Sequence, residues 1–168
     1  MAQHFKNISA GYLRAFIFGV EDSLVSTVGL LSGIVIAGVS KPAIIATGMV
    51  LILVEGFSMA VGNFLSEYSA ESYAARAEVP YRRSIIAGLI MFFSYVVSGL
   101  VPLFPYIAAP VDSALRISVA LSLLALFALG VIGAKVSNIR IIANGLRVAV
   151  VGGAAILIGI IAGNLLKL

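Results

Sequence analysis

Residues 15–39 of the chain read AFIFGVEDSLVSTVGLLSGIVIAGV, and this stretch decides the class of fold. A helix of 25 residues is long enough to cross the roughly 30 Å hydrocarbon core of a bilayer. Its only charges are two adjacent acids, Glu21 and Asp22. One charge at the centre of a membrane helix costs about 2.5–3.5 kcal/mol on insertion scales. Two adjacent acids therefore indicate a shallow position, a bound proton, an ionic partner or a bound cation.

Four more apolar segments of similar length follow, at residues 42–65, 85–109, 111–134 and 148–166. The longest polar break between them is the loop of residues 67–84. Of the 168 residues, 61% are apolar and only 11% are charged, against roughly 25% charged in a soluble domain. We therefore predict an all-α integral membrane protein, a single transmembrane domain over residues 1–168 with five transmembrane helices.

The basic residues predict the orientation of these helices. If the helices alternate in direction, eight Lys and Arg residues lie on the side of the N-terminus and three on the other. Basic loops favour the cytoplasmic side, so we expect a cytoplasmic N-terminus and a C-terminus on the opposite side. In so apolar a chain the net charge of +4 sets topology, and we expect the lipid bilayer, not nucleic acid, as partner. The eight are Lys6, Arg14, Arg76, Arg82, Arg83, Lys135, Arg140 and Arg147.

The composition excludes several kinds of site. There are no cysteines, which rules out disulfides and thiolate metal sites, and the single histidine is His4. No nucleophile motif or phosphate-binding loop is present, so we expect neither an enzyme nor a bound cofactor. Any metal site must use carboxylates, amides, hydroxyls, carbonyls or thioethers.

In the first predicted helix, spacings of four, three and four residues place an acid, a hydroxyl and two glycines on one face. The glycines form a G-x-x-x-G motif, which is a signal for close helix packing in membranes. Glu21 points about 100° away from this face. The alternative is that both acids lie at headgroup depth and are solvated or paired with Arg14. The residues of the face are Asp22, Ser26, Gly29 and Gly33.

The second predicted helix carries Glu55 in mid-span, with Met59 one turn further and Asn63 beyond it. An acid within a membrane segment is a functional-site hypothesis by default. A carboxylate with a thioether suits a borderline transition metal better than magnesium or calcium. Taken alone, Met59 is equally typical of core packing.

Glu67 and Glu71 lie one helical turn apart, just after the second apolar segment. They would extend that helix beyond the bilayer as a cation-attracting mouth, although a solvated helix end explains them equally well.

Three motifs resemble those of the vacuolar iron transporter family. Residues 18–29 (FGVEDSLVSTVG) resemble its first-helix signature, an Asp-Gly followed by Leu-Val-Ser-Thr, with Ser23 in place of the glycine. Residues 57–66 (FSMAVGNFLS) resemble its second-helix pattern Ser-Met-x-x-Gly-x-Tyr-x-Ser, and residues 102–106 (PLFPY) its third-helix proline pair. The chain is similar to a short member that lacks the cytoplasmic metal-binding insert.

This resemblance implies a homodimer of five-helix subunits with a metal path at the subunit interface. It implies proton-coupled export of ferrous iron or manganese from the cytoplasm, and it places family metal residues on Asp22 and Met59. Helical spacing and position within the membrane segments selected further candidates in the paragraphs above. Together with the family positions, the predicted metal-binding residues are Asp22, Glu55, Met59 and Asn63. Further candidates are Glu21, Ser26, Glu67 and Glu71.

Two other functions fit the same residues. A membrane scaffold or partner-binding subunit without transport activity would use its acids as hydrogen-bonding groups at an interface. A transporter of another cation or of a small solute would also need intramembrane acids. The chain has no long extension, which favours a prokaryotic cell membrane; a eukaryotic protein would lie in an organellar membrane.

Overall fold

The computed structural model describes the backbone of residues 2–167 and the side chains of residues 10–167. This part of the chain forms five helices, each long and apolar enough to cross a membrane, α1 through its segment Ala10–Ile36. The prediction of an all-α protein with five membrane-spanning helices is confirmed. The helices are α1 (Ala2–Ile36), α2 (Lys41–Ala75), α3 (Arg82–Ala108), α4 (Val111–Ser137) and α5 (Ile141–Leu165).

Short connections make successive helices antiparallel, so that their ends gather in two groups. One group holds the C-terminal ends of α2 and α4 and the N-terminal ends of α1, α3 and α5. We call it the basic end, and the other the opposite end. The membrane side that each end faces stays a prediction. The described basic residues of the basic end are Arg14, Arg76, Arg82, Arg83, Lys135, Arg140 and Arg147.

Helix α2 is longer than its apolar segment. It continues through Ala75 and ends at Arg76, whose φ of 51° is left-handed, so the first half of the predicted loop 67–84 belongs to this helix. The physical reason is that Glu67 and Glu71 meet arginines of the neighbouring helices, which stabilises turns that the lipid does not cover.

Helix α1 is the centre of the bundle and packs against each of the other four helices. Its contact with α5 is backbone against backbone. A Cβ atom on Gly159 would lie 2.0 Å from the carbonyl oxygen of Gly29, and one on Gly163 would lie 2.1 Å from that of Gly33. The prediction that Gly29 and Gly33 serve close helix packing is confirmed.

Two apolar clusters divide the interior between α1, α2 and α3. Towards the opposite end, Leu31, Ile52 and Leu103 belong to a fully buried cluster. Towards the basic end, Ala15 and Met91 belong to a smaller one. The polar side chains of the candidate site lie on the helix segments between them.

Candidate functional site

A hydrogen-bonded group joins α1, α2 and α3 between these clusters. The Tyr95 hydroxyl on α3 donates to Oε2 of Glu55 on α2, with an oxygen–oxygen distance of 2.6 Å. The same hydroxyl lies 2.7 Å from Ser26 Oγ on α1. Because the single tyrosine proton goes to Glu55, Ser26 is left to donate to Tyr95. Two predicted site residues, Ser26 and Glu55, are therefore connected through a residue that the sequence analysis did not select.

The backbone of α3 is fixed to α1 at the same level. Ser23 Oγ donates to the backbone oxygen of Tyr95 at 2.6 Å. Gly99 allows this approach, since a Cβ there would lie 2.7 Å from Ser23 Oγ and 2.8 Å from Ile52 Cγ1. Tyr95 is fully buried, so its ring has little freedom to leave Glu55. Its sequence signal was a tyrosine in mid-span with a serine directly before it, Ser94, and another three residues later, Ser98.

Asp22 lies half-buried on α1 and close enough to Glu55 and Glu21 for their charges to interact. The fold thus brings together the two carboxyl groups that we selected on different helices. Two ionised carboxylates at close range repel, and a proton or a cation between them relieves that repulsion. The alternative partner Arg14 is not available, because it forms an ion pair with Glu67.

Met59 and Asn63 continue along α2 from Glu55 towards the basic end. Met59 packs against the smaller apolar cluster at Ala15 and Met91, so its contacts within the chain are those of a core residue. Nδ2 of Asn63 is buried and has no hydrogen-bond partner among residues 10–167. An amide left in this state is costly, and a ligand or water would satisfy it.

Glu67 and Glu71 lie apart from this group, at the basic end. Glu67 pairs with Arg14 of α1 and has its other oxygen 3.9 Å from Arg83 Nη2 of α3. Glu71 Oε1 lies 2.7 Å from Arg83 Nη1. Their side chains are only 11% and 20% exposed, so both acids belong to the contact between helices. Whether they also attract cations stays a prediction.

The described part of the chain brings few metal ligands together in one place. No group of three or more His, Cys, Asp or Glu side chains within the described part of the chain is arranged to hold a metal ion. The central group thus offers the carboxylates of Asp22 and Glu55 with the hydroxyls of Ser26 and Tyr95 beside them. Such a set binds a cation weakly by itself, and it needs water or a second set of ligands.

Comparisons with known proteins agree with this architecture. The family model described as the VIT family matches residues 13–84 and 70–164, which reach into all five helices. Vacuolar iron transporter homolog 2 of Oryza sativa subsp. japonica is 26% identical, over 89% of this chain and 87% of its own length. Vacuolar iron transporter homolog 5 of the same plant is 32% identical, over 87% of this chain and 76% of its own length. This chain belongs to the VIT family.

Proposed function

We propose that this protein transports a divalent transition metal ion, ferrous iron or manganese, and exports it from the cytoplasm in exchange for protons. Membership of the VIT family and the names of the two rice relatives support the substrate class. The observation that carries the proposal is the hydrogen bond from Tyr95 to Glu55 on α2, with Asp22 on α1 near enough for its charge to interact with that of Glu55.

In this mechanism Asp22 and Glu55 alternate between binding protons and binding the metal. A carboxylate removed from water favours its protonated form, whereas a bound divalent cation favours the ionised form. Arrival of the metal therefore expels protons, and its departure restores them. Met59 favours a borderline transition metal over magnesium or calcium, and Asn63 would add its side-chain amide oxygen as a further ligand. No covalent chemistry is required, so the protein is not proposed as an enzyme.

We propose a homodimer as the transporting form. One protomer has two acids in the central group, and a second copy brings the same two. Four carboxylates with the hydroxyls of Ser26 and Tyr95 give the oxygen-rich environment that a divalent cation needs. The resemblance to the family, with its metal path between subunits, is the further support.

We place the basic end in the cytoplasm because of its excess of Lys and Arg. The bilayer as environment follows from the five apolar helices. The two relatives are rice proteins, so they lend no support to the predicted prokaryotic cell membrane, and a plant-type organellar membrane is the alternative.

Transport into proteoliposomes tests the proposal. Purified protein should accumulate ferrous iron and manganese with an opposing proton flux, followed by a pH-sensitive dye inside the vesicles. Asp22→Asn should reduce transport to the level of empty vesicles, and Met59→Ala should reduce it less while lowering the preference over magnesium. Asp112→Asn is the matched control, because this exposed acid lies at the start of α4, at the opposite end.

If Asp22→Asn and Met59→Ala leave transport unchanged, the mechanism is wrong. The Glu55–Tyr95 hydrogen bond also fits an acid that only holds helices together in a scaffold. A scaffold would show no saturable, carboxylate-dependent metal uptake. Competition among metals distinguishes a carrier of iron or manganese from one for another cation.

A further inference from the structure

A cavity of about 810 Å³ opens at the basic end, where α1, the last turns of α2 and the first turns of α3 meet. It lies outside the central group of acids, and metal transport does not require it. Its polar lining consists of Tyr12, Glu71, Arg82 and Arg83, and the rest is apolar.

The cavity lies at the depth of lipid headgroups. Helix α2 has 35 residues and is about 52 Å long, well beyond the roughly 30 Å of the hydrocarbon core, so its last turns stand outside the apolar layer. Tyrosines gather at this level, as is typical of a membrane–water interface. The rings of Tyr68 and Tyr81 lie 5.7 Å apart, and Tyr12 lines the cavity itself.

The charge of the lining favours an anion. The charged residues of the lining are two arginines and one glutamate. Arg83 is engaged with Glu71 and lies within ion-pair distance of Glu67, whereas Arg82 is exposed and forms no ion pair with any described residue. An arginine at the headgroup level binds phosphate through two parallel N–H groups, and its guanidinium is less strongly hydrated than a lysine ammonium.

An apolar groove continues from this cavity along the outside of α1 and α3. The groove measures about 560 Å³ and is lined by α1 residues such as Phe16 and α3 residues as far as Val101. Ile86 lines both the cavity and the groove, so the two adjoin at this residue. From Ile86 to Val101 the helix rises about 22 Å, which exceeds the roughly 15 Å depth of one hydrocarbon leaflet.

We propose that the cavity and groove together bind one anionic phospholipid, with its phosphate against Arg82 and Arg83 and an acyl chain along the groove. A positively charged chamber at headgroup depth that leads into an apolar channel along the bilayer normal fits the two chemical halves of such a lipid. Basic pockets between membrane helices recognise anionic headgroups in this way. The proposal is independent of which ion the protein transports.

Native mass spectrometry of the detergent-purified protein tests the site, with phosphatidylglycerol and phosphatidylcholine of equal chain length as probes. Phosphatidylglycerol should bind more tightly and with a defined stoichiometry. Arg82→Gln should weaken that binding about fivefold, which is the contribution of one basic residue near an anionic membrane surface, and leave phosphatidylcholine unaffected. Arg147→Gln is the control, because Arg147 is also exposed at the basic end but does not line the cavity.

The groove is tested with Val97→Trp, which fills it from an exposed position on α3. This variant should weaken binding of long-chain phosphatidylglycerol and leave the dihexanoyl form unchanged. Equal affinity for the two headgroups would mean that the arginines do not recognise the anionic lipid, and equal losses in Arg82→Gln and Arg147→Gln would mean that Arg82 contributes only surface charge. Either result overturns the proposal. Displacement of the long-chain lipid by millimolar inorganic phosphate would also overturn it, because the groove would then contribute nothing.

Discussion

Helix α2 carries acids at two levels, and the partners of these acids differ in kind. In the middle of the helix, Glu55 accepts a hydrogen bond from the neutral hydroxyl of Tyr95. Three turns further on, Glu67 lies against the guanidinium of Arg14, and Glu71 follows one turn later against that of Arg83. The two levels belong to one helix with one face towards α1 and α3, so position along the bilayer is the main difference between them.

The partner of each acid determines whether the acid is available to bind a proton or a metal ion. A carboxylate beside an arginine has its charge balanced by the protein, and it ties two helices together. A carboxylate with only a hydroxyl beside it is oriented but has no cationic side chain to balance a charge, and Glu55 has a second carboxyl group, that of Asp22, nearby. In the proposed transport cycle, the balancing charge at the middle level arrives from solution as a proton or a metal ion.

The strongest way to break this comparison is to neutralise one acid at each level. Glu55→Gln should lower metal transport in proteoliposomes at least a hundredfold, because the amide still accepts the Tyr95 hydrogen bond but offers no charge to the metal. Glu67→Gln, which removes a charge from the same helix, should keep transport within about threefold of the original protein.

Initial rates of manganese uptake, normalised to reconstituted protein, give the measurement. Equal losses in Glu55→Gln and Glu67→Gln would contradict the inference that the acid in the middle of α2 binds the metal while the acids near its end only hold helices together. Retained transport in Glu55→Gln would remove Glu55 from the mechanism.

A second, smaller effect is expected from the neutral partner itself. Tyr95→Phe deletes the hydroxyl that orients Glu55 and meets Ser26. A hydrogen bond to a charged group contributes about 1.5–3 kcal/mol, so transport at low metal concentration should fall by about tenfold to a hundredfold. Tyr106→Phe is the control, since this other buried tyrosine of α3 belongs to the apolar cluster near the opposite end. An unchanged rate in Tyr95→Phe, or an equal loss in Tyr106→Phe, would show that the hydroxyl does not position Glu55.

The smallest effect concerns stability at the basic end. Glu67→Gln should lower the free energy of unfolding by about 1–2 kcal/mol, between the values for exposed and for buried ion pairs, because Glu67 is mostly buried while Arg14 is 68% exposed. Thermal unfolding in detergent measures this loss. High salt should reduce the difference between the two proteins only slightly, since a mostly buried carboxylate is poorly screened. A Glu67→Gln protein as stable as the original would mean that these ion pairs do not brace the helices.

Hydropathy and helical spacing were sufficient for the five helices and for the face that carries Asp22 and Ser26, because both depend on local sequence. The side chains that pair between different helices could not be predicted from the sequence. Arg14 was considered as a partner for the acids of its own helix, yet Glu67 lies within its reach across the interface. Tyr95 became visible only when the packing of α3 against α1 and α2 placed its hydroxyl beside Glu55.

The length of α2 was underestimated for a related reason. Polar residues after an apolar segment are typical of a loop, but they are equally compatible with a helix that has left the bilayer. Whether such residues form a loop or a helix depends on whether a neighbouring helix packs against one side of the segment. Here Arg83 of α3 supplies that cover for Glu71, and its position follows from the tertiary fold.

Helices α1 and α5 form a mechanically stiff pair. Side chains can change rotamer to follow a sliding neighbour, but backbone carbonyls cannot, and the carbonyl oxygens of Gly29 and Gly33 lie directly against Gly159 and Gly163. Sliding by even one residue would press these carbonyls into larger side chains. Helix α3 is also held to α1 at its backbone, through Ser23 and the carbonyl of Tyr95, so motion within the bundle is least costly where α2 meets α1 through side chains. Asp22 thus stands on the fixed part of the molecule and Glu55 on the part that is able to move.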